Sequence, residues 1–234
     1  VKLVINEVTG WIEGAGDQAW IVWVTVIPLC TAAALLLAYI VEKLSGMNFR
    51  EYAKKNLFEP AGMSESFIYD PMHPEMLRTA ATGYVPRRGG PVVSEFNHLD
   101  GVTGDKGIYS TVEDLYHWDM ALNEEKLVKF STLEEAFTPQ HTTPKVLAKN
   151  YGFGWRLAQL DNGEWLTYHT GWWHGFKNYY LHNPKDNSAI IILGNMANHA
   201  LGRVNIVQSI LYPEKANLFM KGEPLPTEFV LGGN

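Results

Sequence analysis

The stretch EWLTYHTGWWHGFKNYYLHNPKDNSAIIILGNMA, residues 164–197, carries the pattern that decides the fold. Apolar and aromatic residues recur at alternate positions along it, as they do in half-buried β-strands. The Asn-Pro-Lys-Asp-Asn segment at 183–187 is rich in turn formers, and a turn this short joins antiparallel strands. These features predict strands over 164–171, 175–184 and 188–197, arranged as an antiparallel meander.

The segments on either side extend the same unit. Upstream, YGFGWRLAQL at 151–160 predicts a further strand, which the turn Asp-Asn-Gly at 161–163 connects to the next one. Downstream, ALGRVNIVQSILYP at 200–213 predicts a helix that Pro213 ends. The C-terminal part of the chain is therefore predicted to be a sheet followed by a helix.

Helical patterns precede the sheet. AALLLAYIVEKLS at 33–45 predicts a helix, with Gly46 just past its end as the C-cap. Asn48 is placed to cap a second helix, which Pro60 and Gly62 stop.

A long region of low periodicity, 64–104, follows these two helices. Such regions in compact domains usually shape a functional cleft. Ser110 or Thr111 then caps a third helix, and a charged helix is predicted near 124–137. Together these elements predict an α+β fold, in which helices pack on an antiparallel sheet.

Composition and charge limit the classes of function. The chain of 234 residues is 46% hydrophobic and 19% charged, as soluble globular proteins are. A net charge of −6 and a pI near 5.7 argue against a nucleic-acid partner, which needs a basic surface. The single cysteine, Cys30, excludes an internal disulfide and a thiolate zinc site.

The spacing of the histidines does not predict a metal site. His169 and His174 are five residues apart across a glycine turn, and His117 and Asp119 are two apart on a predicted helix. Neither spacing places two ligands on one helix face, as His-x-x-x-His sites do. We therefore expect no metal and no cofactor.

An uncharged run of 22 residues, WIVWVTVIPLCTAAALLLAYIV at 20–41, has about the length that spans a bilayer. Tryptophans at one end and basic residues beyond the other also fit a membrane segment. However, Pro28 interrupts the run, and β-branched residues dominate before it. These two features favour a buried strand over 20–27, a proline turn, and a buried helix from about Thr31.

Five blocks of sequence follow one another in a distinctive order. They are LLLAYIVEKLSGMNFREYAKKNLFEPAGM (35–63), GDKGIYSTVEDLYHWD (104–119), YGFGW (151–155), HTGWWHGF (169–176) and IIILGN (190–195). In this order they resemble the penicillin-recognising serine hydrolases, and among these the class C β-lactamases, D-amino-acid peptidases and family VIII esterases. The resemblance covers about residues 35–212 and implies a β-lactamase/transpeptidase-like fold.

The resemblance also implies a site. His169, Thr170 and Gly171 match the family's Lys-Thr-Gly or His-Thr-Gly motif. His169 would supply a positive or proton-sharing group, and Thr170 would offer a hydroxyl to the substrate's carboxylate or amide. Gly171 would let a substrate backbone lie against the strand, and the Trp172 N–H would form half of an oxyanion hole.

The catalytic half of the family pattern is missing. The family uses a Ser-x-x-Lys nucleophile and a Tyr-x-Asn group; neither motif occurs in this sequence, and residues 1–34 contain no serine. Thr-x-x-Lys spacing occurs at 103–106 and 142–145, but a glycine turn and a proline respectively disfavour a catalytic helix there. The apolar neighbours of Cys30 raise a thiol pKa, which disfavours it as a nucleophile.

These observations lead to two functional hypotheses. In the first, residues 1–34 are unrelated to the family pattern, and 35–234 form the C-terminal part of a β-lactamase-related domain. Its intact relative would hydrolyse an ester, an amide or a D-amino-acid peptide through an acyl-serine, while this chain is truncated and inactive. His-Thr-Gly in place of Lys-Thr-Gly favours a peptidase or esterase. In the second, the chain is a non-catalytic homologue that binds peptide-like or cell-wall ligands, with 20–41 as a membrane tether.

The expected partners follow from the same hypotheses. The ligand would be a small-molecule or peptide-like substrate, and a second chain could supply the Ser-x-x-Lys half. Without the family's N-terminal strands, uncovered sheet edges predict oligomerisation. The resemblance implies a periplasmic or cell-envelope location.

Overall fold

The computed structural model describes residues 36–97, 99–140, 149–159 and 165–198, together with 201, 204, 207 and 210. Helices form the first part of this region, two small two-stranded sheets lie between them, and a five-stranded sheet forms the last part. The predicted α+β architecture is confirmed.

The first two helices have the predicted ends. α1 covers 36–45, and Gly46 follows it with a left-handed φ of 70°. The Asn48 side chain accepts a hydrogen bond of 3.0 Å from Arg50 N at the start of α2. α2 ends at Gly62, in the left-handed conformation of a C-cap. α2 consists of an α-helix over Phe49–Ala53, a π-helix over Lys54–Phe58 and an α-helix over Glu59–Ala61.

The next two helices are α3, Val112–Asn123, and α4, Phe130–Ala136. Of the two predicted caps of α3, Thr111 takes the role: its Oγ1 accepts a hydrogen bond of 3.0 Å from Asp114 N. α4 is shorter than the predicted 124–137, because its N-cap, Lys129, has extended backbone angles.

The region of low periodicity and the residues just after it contain short elements that pair with each other. Antiparallel pairs form between β1 and β4 and between β2 and β3. The elements are β1 (Phe67–Ile68), a 3₁₀-helix (Pro74–Thr79), β2 (Tyr84–Val85), β3 (Val92–Val93) and β4 (Ile108–Tyr109).

The large sheet is the predicted antiparallel meander, in the order β5-β6-β7-β8-β9. The single strand predicted over 151–160 is wrong, because a turn at Gly154 (φ 79°) divides that segment into two strands. The predicted turn at 161–163 lies outside the described residues. The strands are β5 (Lys149–Tyr151), β6 (Arg156–Gln159), β7 (Trp165–Trp173), β8 (Phe176–Asn183) and β9 (Ser188–Gly194).

The two faces of this sheet contact different elements. One face carries Tyr180 and His182, which reach Asp119 of α3. The opposite face is apolar and packs against position 204, which is helical as predicted. Its buried residues are Leu166, Tyr179, Leu181 and Ile190, and Val204 belongs to the same core cluster. The register of β7 and β8 therefore fixes which side chains face the helical part of the molecule.

The predictions for residues 1–34, including the strand over 20–27, lie outside the described residues. Within the part of the chain that the structure describes, we find no helix with both the length and the apolar character needed to cross a bilayer. α1 nevertheless exposes apolar side chains: Leu36, Leu37 and Leu44 are 56%, 55% and 84% exposed.

Candidate active site

The second half of β7 has a strand partner on one side only, as far as the described residues show. β8 pairs with β7 as far as Trp173↔Phe176, whereas the pairing with β6 stops at Arg156↔Tyr168. Residues 169–173 therefore present an open strand edge. An extended, peptide-like ligand can add to such an edge through main-chain hydrogen bonds.

His169 begins this open segment and is hydrogen-bonded to Tyr151. Tyr151 Oη lies 2.9 Å from His169 Nε2, and the two rings meet edge to face with centroids 6.1 Å apart. Tyr151 ends β5, and the turn at Gly154 folds β6 back beside it. This turn therefore helps to place a phenol hydroxyl against the imidazole.

The surroundings of His169 favour its neutral form. Burial lowers the pKa of His169 below its usual 6.5, the positive charge of Arg156 lowers it further, and a hydrogen bond with the Thr170 backbone opposes both. Partial burial raises the pKa of Tyr151 above 10.0, so the hydroxyl keeps its proton. The imidazole is therefore neutral at neutral pH, and in the tautomer with hydrogen on Nδ1 the Tyr151 hydroxyl donates to Nε2, an arrangement suited to a general base.

The permanent positive charge at this place belongs to Arg156. It pairs with Tyr168 in the β6–β7 register, one residue before His169. Arg156 Nε is buried and has no hydrogen-bond partner among the described residues. A buried donor without a partner is costly, and the guanidinium fork matches a carboxylate. Arg156 is therefore suited to hold the anionic end of a ligand.

The other predicted residues follow His169 along the open edge. Because side chains alternate along a strand, Gly171 shares the face of His169, whereas Thr170 and Trp172 lie on the other face. Gly171 is exposed, and an added Cβ would lie 3.7 Å from Asn178 Nδ2, an ordinary contact distance. Trp172 is 48% exposed. The strand brings the four residues to one edge but divides their side chains between its two faces.

Sequence reasoning assigned no role to Tyr151 or Arg156. The block at 151–155 did belong to the family resemblance, and its two glycines signal a turn that the strand prediction overlooked. No sequence signal marks Arg156, because an arginine in a strand pattern is usually an exposed residue. Its role becomes visible only from the pairing of β6 with β7.

Of the two segments with Thr-x-x-Lys spacing, 103–106 lies within the described residues, and its lysine is not placed to activate a threonine hydroxyl. In the segment 103–106, Lys106 Nζ lies 2.5 Å from Asp105 Oδ2 and 4.8 Å from the centre of the Trp173 ring. The lysine therefore contacts a carboxylate and an indole in place of an activated hydroxyl. Cys30 and the segment 142–145 lie outside the described residues.

The side chains that could ligate a metal ion do not cluster in the described part of the chain. Among the residues placed by the structure, no group of three His, Cys, Asp or Glu side chains could hold a metal ion.

The chain is similar to known proteins over most of its length. Residues 30–206 match the family described as Beta-lactamase. Penicillin-binding protein 4* of Bacillus subtilis is 31% identical over 206 residues, which are 83% of this chain and 44% of that protein.

Solved structures share the fold. The octameric penicillin-binding protein homologue from Pyrococcus abyssi matches with a TM-score of 0.69 at 26% identity, over 80% of this chain and 43% of that one. The D-amino acid amidase from Ochrobactrum anthropi matches with a TM-score of 0.56 at 20% identity, over 70% and 48%. The chain thus spans less than half the length of each of these three proteins.

Proposed function

The chain belongs to the beta-lactamase family of penicillin-recognising serine hydrolases, and from this premise we propose that it supplies the substrate-holding wall of an acyl-serine hydrolase. The proposed substrates are peptide-like amides or esters with a free carboxylate, D-amino-acid peptides among them. The observation that supports this most directly is the Tyr151–His169 pair beside Arg156, whose Nε is buried.

In this proposal the substrate lies along the open edge at 169–173. Arg156 and Thr170 share a face of the sheet, because Arg156 pairs with Tyr168 and alternate residues of β7 share a face. A substrate carboxylate would bind this pair through charge-assisted hydrogen bonds. His169, on the other face, would take or return a proton at the reacting group, with the Tyr151 hydroxyl as its partner.

Two further residues complete the proposed wall. Gly171 leaves room for the substrate backbone, because among the residues that the structure describes only Asn178 lies within 4 Å of the position of an added Cβ, at an ordinary contact distance. The backbone N–H of Trp172 would stabilise negative charge that develops on the substrate carbonyl oxygen. The names of the relatives fit such ligands, since penicillin and D-amino acid amides are both peptide-like acyl compounds.

The acylating serine is proposed to come from outside this chain. No serine of the sequence is followed by lysine three residues later, and no tyrosine is followed by asparagine two residues later. We therefore expect the chain by itself to be inactive on these substrates. Treatment with a fluorescent penicillin, read by intact mass, should give no adduct with the chain alone. A stoichiometric penicillin adduct would contradict this part of the proposal.

A non-catalytic homologue is the second candidate function. The same two missing motifs favour it, because a ligand could bind along β7 without any chemical step. Under either candidate the protein would act in the cell envelope or periplasm, on peptide-like ligands. The coding sequence upstream of residue 35 discriminates between them. An open frame that encodes Ser-x-x-Lys and Tyr-x-Asn supports the hydrolase, and its absence supports the binding protein.

The exposed apolar side chains of α1 support association with another polypeptide. Leu44 is 84% exposed, and Leu36 and Leu37 are more than half exposed. Burial of these side chains would remove apolar surface from water, which favours an oligomer or a complex.

Arg156→Gln is expected to weaken binding of N-acetyl-D-alanyl-D-alanine to the chain by about 10- to 100-fold. The loss of a charge-assisted hydrogen bond, worth about 1.5–3 kcal/mol, causes this effect. The same peptide with an amidated C-terminus should bind the variant and the wild type equally. Calorimetric titration measures both affinities, and Arg88→Gln, at an exposed loop position, is the matched control. An equal loss of affinity for both peptides would show that Arg156 does not recognise the carboxylate.

His169 is expected to make the chain less stable as the pH falls below 6.5. Its pKa in the folded chain is lower than 6.5, so the unfolded chain binds more protons in the window between the two pKa values. Stability therefore rises with pH across that window, and above 6.5 this penalty is absent. Urea unfolding at several pH values should show a shallower dependence for His169→Gln than for the wild type. His73→Gln, at an exposed position, should behave as the wild type; an unchanged slope in His169→Gln would refute the assignment.

A further inference from the structure

The turn between β7 and β8 is held in an unusual conformation. His174 has a φ of 43°, in the left-handed region that residues with a Cβ rarely adopt. Such strain, about 1–2 kcal/mol, persists only where the surroundings fix it. The His174 carbonyl packs directly on Gly83, where an added Cβ would overlap its oxygen. The backbone around His174 is therefore fixed by contact with the β2 region.

The His174 side chain links an acid to a serine. His174 Nε2 lies 2.8 Å from Asp100 Oδ1, and Nδ1 lies 3.2 Å from Ser94 Oγ. Asn97 Nδ2 is also 3.4 Å from Nε2. The Ser94 backbone is fixed as well, because its N–H donates to Gly83 O at 2.9 Å. The order hydroxyl, imidazole, carboxylate is the one by which a serine is activated as a nucleophile.

Asp100 is well placed to hold the imidazole. It is 5% exposed, and its Oδ1 also accepts a hydrogen bond of 2.6 Å from Trp173 Nε1. Its Oδ2 accepts from the backbone N–H of Asn97. A buried carboxylate that accepts from several donors keeps its position. It therefore favours the imidazole tautomer that carries hydrogen on Nε2, which leaves Nδ1 to accept the Ser94 proton.

A cavity adjoins this serine and histidine. Its volume is about 260 Å³, and both Ser94 and His174 line it. The rest of the lining is mainly apolar, with Leu77, Ala80, Val93, Phe96, Tyr109 and Phe176. An apolar pocket with a few convergent polar groups is the usual form of a small-molecule site. This one would accept a short, uncharged acyl group.

We propose that Ser94, His174 and Asp100 form a nucleophilic site for short-chain esters. Ser94 Oγ attacks the ester carbonyl carbon while His174 Nδ1 takes the hydroxyl proton. His174 then returns that proton to the leaving alkoxide as the ester C–O bond breaks, which leaves acyl-Ser94. A water molecule repeats the two proton transfers and releases the carboxylic acid. The site uses different residues from the β7 edge and prefers a neutral ligand to an anionic one.

The test is reaction of the purified chain with a fluorophosphonate probe and with p-nitrophenyl butyrate. We expect one phosphonyl group, mapped by peptide mass to Ser94, and ester hydrolysis above the uncatalysed rate. Ser94→Ala removes a single oxygen, so the variant should fold with an unchanged melting temperature. It should lose both the label and the hydrolysis. His174→Gln should lower the hydrolysis by about 100-fold or more.

The matched control is Ser131→Ala, which removes the hydroxyl of an exposed serine on α4 and should leave both readings unchanged. A label at another residue, or equal hydrolysis by Ser94→Ala and the wild type, would overturn the proposal, as would the absence of any label. The result is independent of the β7 site. Ser94→Ala should still bind the carboxylate peptide, and Arg156→Gln should still react with the phosphonate.

Discussion

Asp119→Ala is expected to lower the free energy of unfolding by about 2–6 kcal/mol, because it leaves two buried hydrogen-bonding groups without their partner, each at a cost of about 1–3 kcal/mol. Asp119 is 2% exposed on α3. Its Oδ1 accepts a hydrogen bond of 2.7 Å from Tyr180 Oη and lies 2.8 Å from Nδ1 of His182, which is 0% exposed. One carboxylate oxygen thus connects the helix to positions 180 and 182 of β8, which lie on the same face of the sheet.

This loss of stability is expected because the variant leaves both partners of Asp119, Tyr180 Oη and His182 Nδ1, without their hydrogen bond. Burial and the Asp119 carboxylate raise the pKa of Tyr180 far above its usual range, so this hydroxyl keeps its proton and needs an acceptor. His182 Nε2 already lacks a partner among the placed residues. In the variant, Nδ1 would lose its partner as well. The aromatic rings around them, Phe137 and Trp155, offer no acceptor of comparable strength.

Chemical denaturation at neutral pH measures this loss. Glu113→Ala changes an exposed carboxylate on the same helix and should cost less than about 1 kcal/mol. Asp119→Asn keeps one acceptor and should fall between the two. Because Tyr180 pairs with His169 in the β7–β8 register, Asp119→Ala should also weaken peptide binding at the β7 edge. A stability loss below 1 kcal/mol would show that α3 is not fixed to the sheet through Asp119.

Gly175→Ala is expected to lower the free energy of unfolding by about 3 kcal/mol or more, because two separate effects combine. Gly175 has a φ of 81°, which costs an alanine about 1–2 kcal/mol. In addition, an added Cβ would lie 2.7 Å from both Gly83 C and Tyr84 O, and closer still to Tyr84 N. These are backbone atoms, so relief requires the β7–β8 turn to move away from β2.

Gly154→Ala separates the two effects. Gly154 has nearly the same φ, 79°, but no atom of the described residues lies within 4 Å of the position of its Cβ. The variant should therefore lose only the conformational part, about 1–2 kcal/mol. Unfolding curves of both variants give the difference directly. Equal losses would mean that the turn yields without cost and that the contact with β2 does not hold it.

The part of the fold that sequence predicted best is the part set by local periodicity. The alternation over 164–197 gave three strands and their order, and the glycines and Asn48 gave the ends of α1 and α2. The prediction of a single strand was wrong at Gly154, where a turn interrupts a segment whose sequence pattern is typical of one strand. Alternation continues through such a turn because the residues on both sides are strand formers.

The candidate site was predictable in part. The His-Thr-Gly block marked one strand, because its residues match a family motif as they stand. Tyr151 and Arg156 were not predicted, because folding brings each of them to a residue that is distant in the chain. Tyr151 Oη lies 2.9 Å from Nε2 of His169, 18 residues away, and Arg156 pairs with Tyr168, the residue before that histidine. The relay of Ser94, Asp100 and His174 joins residues 80 positions apart, and no local spacing encodes it.

The sequence by itself determined the class of fold, the strand order of the meander and the family, because these follow from periodicities and motifs that are local in the chain. The tertiary structure alone decided the lowered pKa of His169, the buried Nε of Arg156 that lacks a partner among the described residues, and the burial of Asp119 between α3 and β8. These properties depend on burial and on neighbouring charges. Both are created by long-range packing, which brings distant residues together and removes them from water.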